Sequence, residues 1–181
     1  CGAEMRLKVE LRLIADIGFV GHPNAGKSSL LRVLTAAHPE VADYPFTTKT
    51  PHLGVLRYDY RDVILADIPG ILDGASDGVG LGLRFLKHIA RTSALAFIID
   101  LTDESPVETF RGLLDEVGAY SEDLVAKRRL VVGSKLDLPQ AEEALTALTQ
   151  ALPDERIMGV SSLTHLGIGE LTQTFLALKD A

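Results

Sequence analysis

Eight residues, Gly21-His22-Pro23-Asn24-Ala25-Gly26-Lys27-Ser28, constrain the fold of this chain more than any other stretch. They match the P-loop pattern of two glycines separated by four residues and followed by Lys and Ser. The apolar run Ile14 to Val20 precedes them as expected of a buried strand, and Leu31 and Leu34 follow at helical spacing. A loop between strand and helix needs Gly21 and Gly26 for tight turning and close approach, so that successive N–H groups point at phosphate oxygens. A helix beginning near Lys27 adds the positive end of its dipole. Lys27 then reaches the β- and γ-phosphates, the Ser28 hydroxyl ligates Mg²⁺, and Ser29 continues the loop into the helix.

The remainder of the chain alternates strand and helix. Leu53–Tyr60 and Asp62–Ile68 read as two strands joined by a tight turn near Asp59–Arg61. Ala94–Leu101 and Leu130–Gly133 are continuous apolar runs of the kind found in parallel strands covered on both faces. Ser105-Pro106 opens a helix with Phe110, Leu113, Leu114 and Val117 on its apolar face. Helices over Ala141–Leu152 and Gly169–Leu178 flank a last strand at Ile157–Val160. The pattern predicts an α/β P-loop NTPase fold, a mostly parallel sheet with helices on both faces. Met5–Leu13 alternates like a half-exposed strand, Glu40–Pro51 reads as loop, and a further helix is expected through Leu83, Phe85, Leu86 and Ile89. Phe97 and Phe110 fit core positions. His38, His88 and His165 have no partners at metal-ligand spacing.

In such a sheet, ligands bind beyond the carboxyl ends of the strands, where the polar clusters fall. Asp67 ends an apolar strand and can meet a Mg²⁺ held by Ser28, directly or through water; the Gly70 N–H after it can bond a γ-phosphate. Asp137 can accept two hydrogen bonds from the N1–H and 2-amino group of guanine, a donor pair that adenine lacks. The Lys135 stem can lie over the base while its head stays solvated. Backbone N–H groups of Ser161-Ser162-Leu163 can bond the guanine O6. Thr47 and Thr48 lie in a loop that a γ-phosphate can draw inward, with either hydroxyl a Mg²⁺ ligand. Together these expectations define two nucleotide-sensitive loops, 40–51 and 70–82. Asn24 is a candidate ligand for a monovalent cation beside the phosphates, against the alternative that it hydrogen-bonds the loop backbone.

Bulk properties narrow the class. The 181 residues suit one domain, and 46% hydrophobic residues suit a globular core. A net charge of −7 argues against a protein that coats nucleic acid by itself. No apolar run reaches the roughly 18 residues of a transmembrane helix. The single cysteine, Cys1, excludes an internal disulfide and fits a reducing, cytoplasmic compartment. With Cys rather than Met first, residues 1–12 read as a lead-in from an absent N-terminal domain, and 13–181 as the nucleotide-binding domain.

The ordered P-loop, threonine loop, Asp-x-Pro-Gly, Lys-x-Asp and Ser-Ser segments resemble the five motifs of a translation-factor-type GTPase domain. More narrowly the chain resembles the Obg family of ribosome-associated GTPases. The residues responsible are 21–28, Tyr44-Pro45-Phe46-Thr47-Thr48, Asp67-Ile68-Pro69-Gly70-Ile71, and the glycine-rich tract 74–83 with Phe85-Leu86-Lys87-His88-Ile89. The resemblance implies Mg²⁺-dependent binding of GTP and GDP, Thr48 as the Mg²⁺-ligating threonine, and Lys27, Thr48 and Gly70 as the catalytic set. It places Phe46 beside the nucleotide. It also implies large ribosomal subunit assembly as the setting, through flanking domains, with the isolated domain monomeric. For Asn24 it implies K⁺ as the cation. The chain departs from the family at Ser134, where the base motif has Asn, and Ile71 stands where Ras-type proteins orient water with Gln. Intrinsic hydrolysis is therefore expected to be slow. The alternative is a module sensing GDP, GTP or ppGpp with negligible turnover, while Asp137 disfavours an ATPase.

Overall fold

The computed structural model describes residues 15–35, 40–41, 52–67 and 92–180. Outside them lie the expected strand at 5–13, the lead-in 1–12, most of the 40–51 loop with Phe46, Thr47 and Thr48, the 70–82 loop with Gly70 and Ile71, and the helix through Leu83–Ile89.

Strand β1, Ile17–Val20, leads through the P-loop into helix α1, Lys27–Thr35. Glu40–Val41 forms a two-residue β2, followed by β3, His52–Tyr58, and β4, Arg61–Asp67. Then come β5, Ala94–Asp100; α2, Pro106–Tyr120; the short α3, Glu122–Val125; β6, Arg128–Ser134; α4, Ala141–Ala151; β7, Ile157–Gly159; and α5, Ile168–Asp180. The sheet order is β2-β3-β4-β1-β5-β6-β7, with β2–β3 and β3–β4 antiparallel and the other pairs parallel. The expected P-loop NTPase architecture is the one observed. Strand β2 and helix α3 are additions: two and four residues are too short to carry a hydrophobic period.

Strand periodicity of two distributes the core. Ala94, Ala96 and Ile98 of β5 join Leu30, Leu31 and Leu34 of α1 and Leu171, Phe175 and Leu176 of α5. Leu95, Phe97 and Ile99 face the other way, onto Phe110, Leu113 and Val117 of α2 and Leu148 of α4. Each layer holds an aromatic pair: Phe19 with Phe175 at 5.9 Å between centroids, and Phe97 edge-on to Phe110 at 5.3 Å. Such pairs contribute about 0.5–1.5 kcal/mol beyond their burial.

Helix α2 begins at Pro106 as expected, with Ser105 in the N-cap position, but the Ser105 hydroxyl makes no capping bond. Asp103 organises this start instead, accepting from the Ser105 N–H at 3.5 Å and the Thr109 hydroxyl at 2.7 Å. At the far end of the sheet, Lys179 of α5 donates to the Asp16 carboxylate at 3.1 Å and to the Asp62 carbonyl at 2.6 Å. Arg61 pairs with Asp180 at 2.8 Å.

The β3–β4 hairpin turns through Asp59 at φ 49° and Tyr60 at φ 60°. Two left-handed central residues are what a tight hairpin needs to match strand twist, and the second is ordinarily Gly. Tyr60 is fully exposed, so its ring offsets none of the cost of this conformation by packing. Tyr60→Gly is expected to raise unfolding stability by about 1 kcal/mol, read from a higher urea midpoint at unchanged slope.

Candidate nucleotide site

The site assembles at the carboxyl edge of the parallel strands. Register sets it: Phe19 of β1 lies opposite Asp67 of β4, and Asp100 of β5 opposite Ser134 of β6. Residues from distant parts of the chain therefore meet around the P-loop.

Asn24 at φ 63° and Gly26 at φ 93° turn the P-loop before α1 begins at Lys27. Gly21 has a different reason for lacking a side chain, since a Cβ there would stand 2.5 Å from the Ile98 carbonyl oxygen of β5. The close approach it permits is to the sheet. Ala25 and Lys27 are buried, whereas His22, Pro23, Asn24, Ser28 and Ser29 are exposed. The Lys27 ammonium folds back over the loop, donating to the Gly21 and His22 carbonyls at 2.7 Å each.

Beside it, the Ser28 hydroxyl donates to Asp67 Oδ2. Asp67 is 2% exposed, and its other carboxylate oxygen, Oδ1, is buried with no hydrogen-bond partner among the described residues. An unpartnered buried anionic oxygen is costly unless a cation or its water completes it. A hydroxyl and a carboxylate oxygen side by side form a hard-oxygen donor pair, which fits Mg²⁺. Ser28 and Asp67, expected to share a Mg²⁺, stand side by side in the fold and bond each other directly; Thr48, the third expected Mg²⁺ ligand, lies outside the described residues.

Ser134 is the last residue of β6 rather than the first after it, and is 3% exposed. Its hydroxyl donates to the Ala25 carbonyl at 2.7 Å and the Ile99 carbonyl at 3.1 Å, tying P-loop, β5 and β6 together. Lys135 follows at φ 61°. Its head is not simply solvated as expected: the ammonium pairs with Asp100 at 2.5 Å. Asp137 is exposed and accepts from the buried Ser161 hydroxyl at 2.5 Å. Ser161 Oγ in turn accepts the N–H groups of Leu163 at 3.2 Å and Thr164 at 3.0 Å. Of the three N–H groups expected to face the guanine O6, those of Ser161 and Leu163 already bond within the loop, Ser161 to the Leu166 carbonyl at 3.0 Å. The Ser162 N–H has no partner among the described residues.

Sequence reasoning missed Asp100, although it ends an apolar strand just as Asp67 does. It also lines a pocket of about 160 Å³ beside the P-loop, between His22, Pro23 and Ala25 on one side and Thr102, Asp103 and Thr109 on the other. Burial pushes the Asp100 carboxyl up, but bonds from Lys135 and Thr102 together outweigh it, leaving the pKa below its ordinary value. A lowered carboxylate pKa contributes stability above the unfolded value, lost as pH falls through the folded one. In urea unfolding from pH 6 to pH 2, the wild-type chain should lose stability below about pH 4 more steeply than Asp100→Asn.

A family model described as 50S ribosome-binding GTPase matches residues 16–135. GTPase Obg of Treponema denticola is 53% identical over 180 residues, covering 99% of this chain and 47% of that protein. The chain spans about half the length of the curated relatives it matches. Among solved structures, the G domain of the T. maritima FeoB iron transporter superposes with a TM-score of 0.66 at 19% identity, over 90% of this chain and 96% of that one. An Aquifex aeolicus Era variant bound to GDP and AlF4⁻ gives 0.68 at 23% identity, over 90% of this chain and 56% of that one. At these identities the two structures bear on the fold alone.

Proposed function

This chain belongs to the 50S ribosome-binding GTPase family, on its Obg branch, and from that premise we propose that it binds GTP and GDP with Mg²⁺ and slowly hydrolyses GTP. The observation carrying this reading is the Ser28–Asp67 pair at the P-loop, with its bare carboxylate oxygen. Ser28 and Asp67 would hold the metal, with Thr48 joining them from the 40–51 loop. Mg²⁺, when bound, supplies positive charge against the β- and γ-phosphate oxygens.

The chain's own groups do the remainder. Lys27, resting on two P-loop carbonyls, would exchange them for phosphate oxygens and neutralise charge developing there. Asp137, held in position by Ser161, would select guanine by accepting from N1–H and the 2-amino group. The Gly70 N–H would bond the γ-phosphate, so that loops 40–51 and 70–82 respond to nucleotide state. Ile71 brings no hydrogen bond to an attacking water, and turnover of about 10⁻⁴ to 10⁻² s⁻¹ is expected, as in unaided Ras-like and Gα domains. The proposed setting is cytoplasmic assembly of the large ribosomal subunit, with ppGpp a competing ligand of the same nucleotide site. No helix among the described residues is long and apolar enough to cross a membrane.

Multiple-turnover phosphate release from GTP tests the enzyme; tight GTP binding with no release would favour the nucleotide-sensing alternative. Asp137→Asn should weaken GDP binding roughly tenfold or more and shift preference to xanthosine diphosphate, whose C2 oxo group needs a donor. Unchanged GDP affinity would remove Asp137 from its role.

A K⁺ ion is a proposed addition. Asn24 is exposed on the P-loop, and among the described residues its carboxamide makes no hydrogen bond, which favours the cation reading over a bond to the loop backbone. A cation there would act as fixed positive charge beside the phosphates without an arginine. GTP turnover should then rise when K⁺ replaces Na⁺ at constant ionic strength, and Asn24→Ala should abolish the rise. Equal rates in the two salts would exclude it.

A further inference from the structure

Resting on the guanine-binding reading above, we infer that Ser134 leaves the imidazole edge of the base unread, so that this site does not distinguish guanine from its 7-deaza analogue. Guanine presents N1–H and the 2-amino group as donors, and O6 and N7 as acceptors. Reading N7 therefore requires a hydrogen-bond donor from the protein. A serine hydroxyl has one proton. At Ser134 that proton is shared between two backbone carbonyls, Ala25 at 2.7 Å and Ile99 at 3.1 Å, and the residue is almost wholly buried. Nothing remains on it to donate to a base.

The neighbouring side chains do not replace it. The Ser161 hydroxyl donates to Asp137 at 2.5 Å, and the Lys135 ammonium is held by Asp100 at 2.5 Å. The Leu163 and Thr164 N–H groups point at Ser161 Oγ. What this arrangement offers the base is the Asp137 carboxylate, an acceptor suited to the N1–H and 2-amino edge. Among the described side chains the donor edge of guanine is selected and no donor is left for N7, while the unpartnered Ser162 N–H is the group expected at O6. Ser134 is a specificity-determining residue through what it withholds, since its bond to Ala25 fixes the P-loop against β6 at the expense of contact with the base.

The probes are GDP and 7-deaza-GDP, which replaces N7 with C–H, titrated against the whole chain in Mg²⁺. The wild-type chain should bind both equally, within about 1.5-fold, whereas a hydrogen bond to N7 would separate them by roughly two- to tenfold. Ser134→Asn supplies an amide with two protons, one for the Ala25 carbonyl and one for N7. It should open a preference for GDP of that size. Ser134→Thr keeps a single hydroxyl proton and should leave the ratio near one, while Ser134→Ala should weaken both ligands equally. A merely structural role would move the affinities without moving the ratio. A wild-type preference for GDP of about twofold or more would overturn the inference, as would a Ser134→Asn ratio still at one. Absence of GDP binding by the wild-type chain would overturn the guanine-site reading itself, so the two failures are told apart in one titration.

Discussion

Parallel pairing in one fixed register is the constraint on which the rest of this structure depends. Side chains alternate along a strand, so a one-residue slip of β4 against β1 would turn Asp67 away from Ser28 and into a helix-packed layer. The same slip in β6 would carry Ser134 away from Ala25. The register is held from both faces, because Leu95, Phe97 and Ile99 must meet α2 while Ala94, Ala96 and Ile98 meet α1 and α5. The polar edge is thus positioned by apolar packing some residues behind it.

On that scaffold side chains link the loops to one another and to the ends of the strands beneath. Ser134 joins the base end of β6 to the P-loop, Lys135 joins it to the end of β5 through Asp100, and Ser161 joins the last loop to Asp137. Each link is a charged or hydroxyl group meeting a partner far away in sequence. The phosphate end and the base end of the site are thus joined by side-chain bonds as well as by the sheet.

Much of this was legible in the residues. The P-loop declared both its flanks, and the apolar runs marked β5, β6 and helices α2, α4 and α5 to within a few residues, because burial leaves a continuous or periodic apolar signal. Asp67 was legible because the P-loop gave it a partner to expect. Asp100 was not, since a single carboxylate after an apolar strand has no visible partner until the fold brings Lys135 alongside. Ser105 holds the N-cap position its place before Pro106 suggests, but that its hydroxyl makes no capping bond and Asp103 bonds the start of α2 instead was not legible. The departure at Ser134 was visible as a shorter side chain; that its hydroxyl already joins two carbonyls required the fold.

Gly21 carries a consequence for how variants of this loop are interpreted. Its missing side chain accommodates the backbone carbonyl of Ile98, a residue of the adjacent strand. Spacing between hydrogen-bonded strands is nearly fixed, so even a methyl group at this position would force the P-loop and β5 apart. A loss of nucleotide binding on substituting Gly21 would then report a displaced sheet, and one phenotype would merge two causes. Gly26, whose left-handed backbone is the constraint and whose Cβ would meet only the Ser134 side chain at 3.6 Å, keeps those causes separate.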